Sequence, residues 1–241
     1  MVKKIETSLD GLCIIEDFIT KDEEKDLIKK IDSNEWCGLG IPPNPEMKRR
    51  TQHYGYEFSY RYRKIMNHLG SFPDFINFLI QRFINQNIIN NINNNINDNI
   101  KDIPNMCIIN EYMAGQGIMP HTDSPSLFGP VILSLSLLSP CLMKFEHKDF
   151  ADKSEVVLLR PRSLVIMTKS SRYDYKHSIS KDLIEYFFNN SNNNNDNYNG
   201  GNDNQLNCRE EIIRSRRISL TFRTIIENNS YSEQEQEQQE Y

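Results

Sequence analysis

Read for hydrophobic and polar periodicity, the chain changes character near residue 105. Before it, residues 12–19, LCIIEDFI, form an apolar run of the length of a short buried strand. TKDEEKDLIKKID follows. Thr20 with Glu23 three positions later makes a capping box, and Leu27, Ile28 and Ile31 recur at helical spacing, which predicts a helix. GLGIPPNPEM, residues 38–47, is dense in Gly and Pro and reads as a loop. RRTQHYGYEFSYRYRK, residues 49–64, is basic and aromatic with hints of alternation. FPDFINFLIQRFI predicts a second helix, with Pro73 near its start and Phe75, Leu79 and Phe83 on one face.

From residue 106 the runs shorten and become β-branched: CIINEY, GPVILSLSLL, CLMKFEH, EVVLLR, SLVIMT, KHSIS and RRISLTFRTII, with turn residues between them. That spacing predicts an all-β half, a sandwich or barrel. The whole reads as α+β, a small helical N-terminal layer supporting a C-terminal β-sandwich. Two asparagine-rich blocks, residues 85–100 and 189–207, interrupt it. Asparagine is a poor former of helix and strand, so both read as insertions, although the isoleucines of the first allow a short helical extension. The expected organisation is one structural domain. Residues 1–105 hold the helices and a recognition lid, 106–227 the β core, and 228–241 a disordered Glu/Gln-rich tail.

Composition narrows the function classes. At 241 residues there is room for one sizeable core or two small ones. A net charge of -5 gives the whole molecule no pull on nucleic acid or anionic lipid, and leaves that to local basic clusters. The five cysteines are odd in number and none stand as CxxC, which predicts reduced thiols in the cytoplasm or nucleus. The N-terminus lacks an apolar signal core and no run reaches 18 apolar residues, so the expectation is no membrane association and no secretion.

The candidate chemistry lies in the β half. GIMPHTDSP places His121 and Asp123 two apart at a strand end, so both side chains point the same way. Imidazole with carboxylate suits a divalent first-row metal, and His177, in YDYKHSIS, is the best third ligand. By itself an HxD pair is equally a chance pairing, and His177 an ordinary surface residue. In RRISLTFRT, Ile218, Leu220 and Phe222 alternate with Arg217, Ser219, Thr221 and Arg223. Period two puts both arginines on one face, either toward a polar pocket that needs anions or on a solvated strand surface.

Together, CIINEYMAGQGIMPHTDSP, PRSLVIMT, SRYDYKHSIS and RRISLTFR resemble the catalytic core of the AlkB-like Fe(II)/2-oxoglutarate dioxygenases, over about residues 106–225. The resemblance implies a double-stranded β-helix, or jelly-roll, core with N-terminal supporting helices. It implies an oxidoreductase using Fe(II), 2-oxoglutarate and dioxygen. His121, Asp123 and His177 would hold the iron. Arg217 would pair with the distal carboxylate of 2-oxoglutarate and Arg223 would lie near the carboxylate at the metal end. Asn110, Tyr112 and Ser219 would line the same pocket. The expected outcome is hydroxylation or demethylation of a modified nucleobase.

In this family the segment before the core covers the substrate. Here that predicts a lid in which Tyr54 and Tyr56 stack on a base while Lys48, Arg49, Arg50, Arg61 and Arg63 neutralise phosphates, with Arg172 and Tyr173 beside them. The wording RRTQHYGYEF, INEYMAGQGI and KSSRYDYKHSI is most similar to the branch that hydroxylates a modified wobble uridine in tRNA. RNA or tRNA is therefore favoured over DNA, with a partner chain supplying RNA binding or methyltransferase activity. Repair of alkylated DNA, a protein-directed oxygenase and a non-catalytic binding protein stand as alternatives.

Overall fold

The structure, a computed structural model, describes residues 3–89, 103–189 and 208–226. Most of both asparagine blocks and the Glu/Gln-rich tail lie outside the described residues. In chain order the elements begin with β1 (Lys3–Glu6), β2 (Leu12–Glu16), α1 (Lys21–Asp32), β3 (Thr51–Tyr54), β4 (Tyr56–Ser59), β5 (Lys64–His68) and α2 (Asp74–Asn85). They continue through β6 (Met106–Tyr112), β7 (Ile118–His121), β8 (Phe128–Leu138), β9 (Cys141–His147), β10 (Ser154–Leu159) and β11 (Leu164–Met167). The last are α3 (Lys169–Tyr173), β12 (Tyr175–Ile179), β13 (Ile184–Asn189), β14 (Cys208–Ile213) and β15 (Arg217–Ile225).

Two antiparallel sheets face each other. The major sheet has seven strands in the order β1-β2-β11-β8-β15-β6-β3, and the minor sheet has four in the order β10-β9-β12-β7. This is the jelly-roll arrangement. The N-terminal segment does more than supply a helical layer: β2 pairs with β11 and β3 with β6, so it widens the major sheet.

Alternation along the strands builds two cores. Ile218, Leu220 and Phe222 of β15, with Leu133 and Leu135 of β8, pack outward against Ile31 of α1 and Leu79 and Phe83 of α2. Ile132, Val165 and Met167 point the other way, into the space between the sheets, and meet Met143 and Phe145 of β9 and Val157 of β10. Together the two cores explain the apolar stretch VILSLSLL of β8: helices cover one face of the strand and the second sheet the other.

Thr20 caps α1 as expected, with its hydroxyl accepting from the Glu23 amide and the Glu23 carboxylate accepting from the Thr20 amide. In α2 the buried stripe is Ile76, Leu79, Ile80 and Phe83, whereas Phe75 is only partly buried at the edge of the core. Ile88 and Ile89 are buried too, so the start of the first asparagine-rich block belongs to the core. The described cysteines Cys13, Cys37, Cys107 and Cys141 form no disulfide. Among the described residues no helix is long and apolar enough to cross a membrane.

Candidate functional site

The ligand candidates meet where β7 and β12 pair in the minor sheet. The register sets His121 directly opposite His177, and their ring centroids lie 4.3 Å apart. Asp123, two residues beyond His121, is buried. Its Oδ1 accepts from Arg223 Nη2 at 2.7 Å and Nε at 3.1 Å, while its Oδ2 is buried with no hydrogen-bond partner. The His121 Nδ1 lies 2.9 Å from the Met119 carbonyl oxygen. A carbonyl only accepts, so Nδ1 is the donor, which leaves Nε2 as the nitrogen available to a metal in the neutral ring. Among the described residues no three His, Cys, Asp or Glu side chains are already closed into a coordination set.

The electrostatics keep both ligand types ready for a cation. Burial pushes the Asp123 carboxyl up, but Arg223, followed by His177 and His121, outweighs it and holds the group below the usual carboxylate range. Burial, helped by His121, lowers the His177 imidazole to about 4. At neutral pH the set is therefore an anionic carboxylate beside a neutral imidazole, the forms that bind a metal.

A cavity of about 580 Å³ opens from this point between the sheets. Asn110, Tyr112, Ser219 and Arg223 line it together with the three ligand candidates. Asn110 and Ser219 are direct partners in the β6–β15 register, as are Tyr112 and Arg217. Arg217 does not reach the lining. It is 1 % exposed, donates to Ser136 Oγ at 2.7 Å, and lies with its guanidinium carbon 5.5 Å from the Tyr112 ring centroid. Its Nε and Nη1 are buried without partners, as is Arg223 Nη1. Unpaired buried guanidinium donors are costly. The donor set thus fits a small dicarboxylate, just as the two imidazoles and the orphaned Asp123 oxygen fit a divalent metal.

The expected lid is placed differently. None of Arg50, Tyr54, Tyr56, Arg172 and Tyr173 lines the cavity. Arg50 turns away to pair with Glu111 through two 2.6 Å hydrogen bonds and to lie over Trp36. Tyr54 packs edge-on against Phe75 on the helix side, with its hydroxyl donating to Gln52. Tyr56 sits against His68. Arg172 is buried in main-chain contacts, where burial pushes its guanidinium down and the Asp123 carboxylate opposes that shift. Tyr173 packs over that guanidinium.

Of the arginines expected in the lid, Arg49 and Arg63 do line the cavity, with Phe58 and Tyr60 beside them. The Arg49 guanidinium lies 5.7 Å from the Tyr60 ring and 5.2 Å from that of Tyr112, and Nε donates to Asn110 Oδ1 at 2.9 Å. Tyr60 lies just beyond β4, so alternation along that strand does not single it out. Nothing in the sequence separates Arg49 from Arg50; in the fold Arg49 turns to Asn110 and Arg50 to Glu111.

Comparison with known proteins agrees with this geometry. Residues 11–223 match the model of the 2OG-Fe(II) oxygenase superfamily. A protein of Arabidopsis thaliana named alkylated DNA repair protein ALKBH8 homolog is 30 % identical over 240 residues, covering 91 % of this chain and 60 % of its own length. A tRNA (carboxymethyluridine(34)-5-O)-methyltransferase alkbh8 of Xenopus tropicalis is 32 % identical over 221 residues, covering 89 % of this chain and 32 % of its own length. The chain thus spans about 60 % and a third of these two relatives. The solved structure of OsALKBH1 superposes with a TM-score of 0.57 at 16 % identity over 92 % of this chain and all of that one, a likeness of fold. The chain belongs to the 2OG-Fe(II) oxygenase superfamily, among its AlkB-like members. That membership brings Fe(II), 2-oxoglutarate and dioxygen as cofactor and co-substrates.

Proposed function

We propose that this 2OG-Fe(II) oxygenase oxidises a modified nucleobase in RNA, with tRNA ahead of DNA. The supporting observation is the cross-strand pairing of His121 with His177 beside Asp123, on the cavity that Arg223 lines. His121 through Nε2, Asp123 through its unpartnered Oδ2, and His177 would hold Fe(II). When bound with 2-oxoglutarate and dioxygen, the metal supplies an oxidant able to break a substrate C–H bond, with succinate and carbon dioxide as co-products.

The protein's own groups position and exclude. The unpaired donors of Arg217, one residue layer from the lining at Tyr112, would anchor one carboxylate of the co-substrate, and the Arg49 guanidinium also lies over the Tyr112 ring. Arg223 already holds Asp123 and has one donor to spare for a second carboxylate at the metal end. Asn110 and Ser219 complete that wall from adjacent strands. At the mouth, Phe58 and Tyr60 offer ring faces to a flipped-out base, and Arg49 and Arg63 offer charge to its phosphates. Hydroxylation at a carbon attached to nitrogen ends in release of an aldehyde, which is demethylation. At any other carbon the hydroxyl stays.

RNA is favoured by the wording shared with the tRNA branch and by the similarity to the Xenopus protein. A partner supplying further RNA binding or methyl transfer belongs to the same reading. The test is a substrate panel. Purified protein with Fe(II) and 2-oxoglutarate is given total tRNA, alkylated RNA or alkylated DNA, and the nucleosides are read by mass spectrometry alongside succinate. A hydroxylated or demethylated tRNA nucleoside, absent with His121→Ala, is the expected result. Turnover of alkylated DNA alone would replace RNA as the substrate, and no turnover above the His121→Ala background would overturn the enzymatic reading.

A further inference from the structure

Residues 122–127 carry Asp123 yet belong to no strand: β7 ends at His121 and β8 begins at Phe128. Some of their carbonyls have main-chain donors: that of Ser124 accepts from the Leu127 and Phe128 amides, and that of Leu127 from the Ile226 amide. A buried carbonyl without such a partner needs another donor, and at Asp123 one side chain supplies it. Arg172, 2 % exposed, sends Nη1 to the Asp123 carbonyl oxygen at 2.6 Å, and Nη2 to those of Ser124 at 3.3 Å and Phe128 at 3.2 Å. Its Nε reaches the Gly129 carbonyl at 3.4 Å. All three guanidinium nitrogens are spent on main-chain carbonyls of the Asp123 loop and the first two residues of β8. A charge is being buried here to do what a strand neighbour does elsewhere.

The fork is itself anchored. The Thr168 amide, at the start of α3, donates to the Gly11 carbonyl at 2.9 Å and its hydroxyl does so at 3.1 Å. The Ser171 amide donates to the Asp10 carbonyl at 3.0 Å. Gly11 has φ +80°, and a Cβ there would stand 2.1 Å from the Thr168 carbonyl oxygen. The turn before β2 of the major sheet therefore seats α3, and α3 aims Arg172 at the loop.

We propose that Arg172 is a positioning residue for the metal: it fixes the main chain of the Asp123 loop so that the carboxylate stays aimed at the two imidazoles. The proposal rests on the metal-ligand reading given above. It divides labour between two arginines. Arg223 holds the Asp123 side chain and also faces the co-substrate, so its grip is shared. Arg172 grips the backbone, with every guanidinium nitrogen on a main-chain carbonyl.

The test is Mn(II) binding to the full chain without turnover, followed by loss of the free Mn(II) paramagnetic resonance signal. Arg172→Met keeps the apolar stem and removes the donors. Arg172→Lys keeps the charge, but its single nitrogen cannot span four carbonyls. Gly11→Ala displaces α3 without touching Arg172. Leu79→Ala, in the helix-side core, is the control for lost stability alone. Each variant is compared at a temperature where it is folded to the same extent as the control.

Arg172→Met and Gly11→Ala are expected to weaken Mn(II) at least about tenfold, the scale of lost outer-shell support, with Arg172→Lys between them and wild type. Leu79→Ala is expected to bind like wild type. If Arg172→Met does not fold, the Lys and Gly11 variants carry the test. Mn(II) affinity in these variants equal to that of Leu79→Ala would overturn the role of Arg172. Failure of wild type itself to bind Mn(II) would instead overturn the ligand set on which the role depends.

Discussion

Gly117 lies against Ile179 so closely that a Cβ on it would stand 2.3 Å from the Ile179 carbonyl oxygen and 2.6 Å from that of Ser180. The obstacles are backbone atoms, so no rotamer change relieves them. This contact lets β7 approach β12 and so brings His121 opposite His177 four residues later.

Gly117→Ala is expected to force the two strands apart at the bottom of the site. Overpacking of this kind costs roughly 1–3 kcal/mol. Thermal unfolding should show that loss, and a Mn(II) titration should show weaker binding than in an equally destabilised core variant.

Arg217 has two buried donors with no partner and a third on Ser136. Truncating one partner of a buried charged contact costs about 2 kcal/mol or more, a factor of ~30. Arg217→Ala should therefore raise the KM for 2-oxoglutarate by at least about thirtyfold on that scale. Mn(II) binding without co-substrate should stay near wild type. Steady-state succinate formation measures the first, and resonance titration the second.

Arg49 and Arg50 are adjacent, and their substitutions should separate cleanly. Arg49 lies at the cavity mouth between Tyr60 and Tyr112, so Arg49→Ala should lower kcat/KM for nucleic acid about tenfold, or ~1.4 kcal/mol, with little change in unfolding. Arg50 pairs with Glu111, which Arg216 also holds at 2.8 Å. Arg50→Ala should cost about 1 kcal/mol of stability, because a half-exposed pair contributes little and the second arginine remains. Substrate turnover should be nearly unaffected.

His53 makes a pH dependence. Burial, reinforced by Arg223, lowers its imidazole from the ordinary 6.5 to about 4. Its Nδ1 also accepts from the Phe58 amide at 3.1 Å, a bond that only the neutral ring makes. His177 is lowered to about 4 as well in the metal-free protein. Between pH 6.5 and 4 the unfolded chain binds protons that the folded chain refuses, so folding stability falls as pH falls through that window and is level above it. The slope is up to about 1.4 kcal/mol per pH unit for each group. Urea unfolding of metal-free protein from pH 7.5 to 4.5 measures it. His53→Asn, which can keep an acceptor near the Nδ1 position, should remove one group's share of the slope.

The strands that carry chemistry were legible because their faces differ. Alternation in RRISLTFRT separated Arg217 and Arg223 from Ile218, Leu220 and Phe222 before any coordinates, and each apolar residue lies in the helix-side core. The capping box at Thr20 was equally plain. Elements with no such contrast escaped notice. β1 and β7 are four residues each, too short for a period, and β7 contains a proline. α3 is a five-residue helix in a stretch that reads as loop.

The lid segment carries too little contrast for a related reason. RRTQHYGYEFSYRYRK is basic and aromatic throughout, so composition alone assigns every such residue to the substrate. Which ones face the cavity depends on a strand direction that Gly55 resets, with φ +77° and its Cβ position 2.0 Å from the Asn105 carbonyl oxygen. The sequence places Arg172 in the lid beside Tyr173, and nothing in it marks an arginine buried among carbonyls. The carbonyls it satisfies exist only once the Asp123 loop has left the sheet.

The most direct measurement is a crystal structure of the protein with Mn(II) and 2-oxoglutarate, using anomalous scattering to locate the metal. One ion bound to His121 Nε2, an Asp123 carboxylate oxygen and a His177 ring nitrogen, with a carboxylate of the co-substrate on Arg217, is the expected result. An ion elsewhere, or His121 and His177 on no common metal, would contradict it.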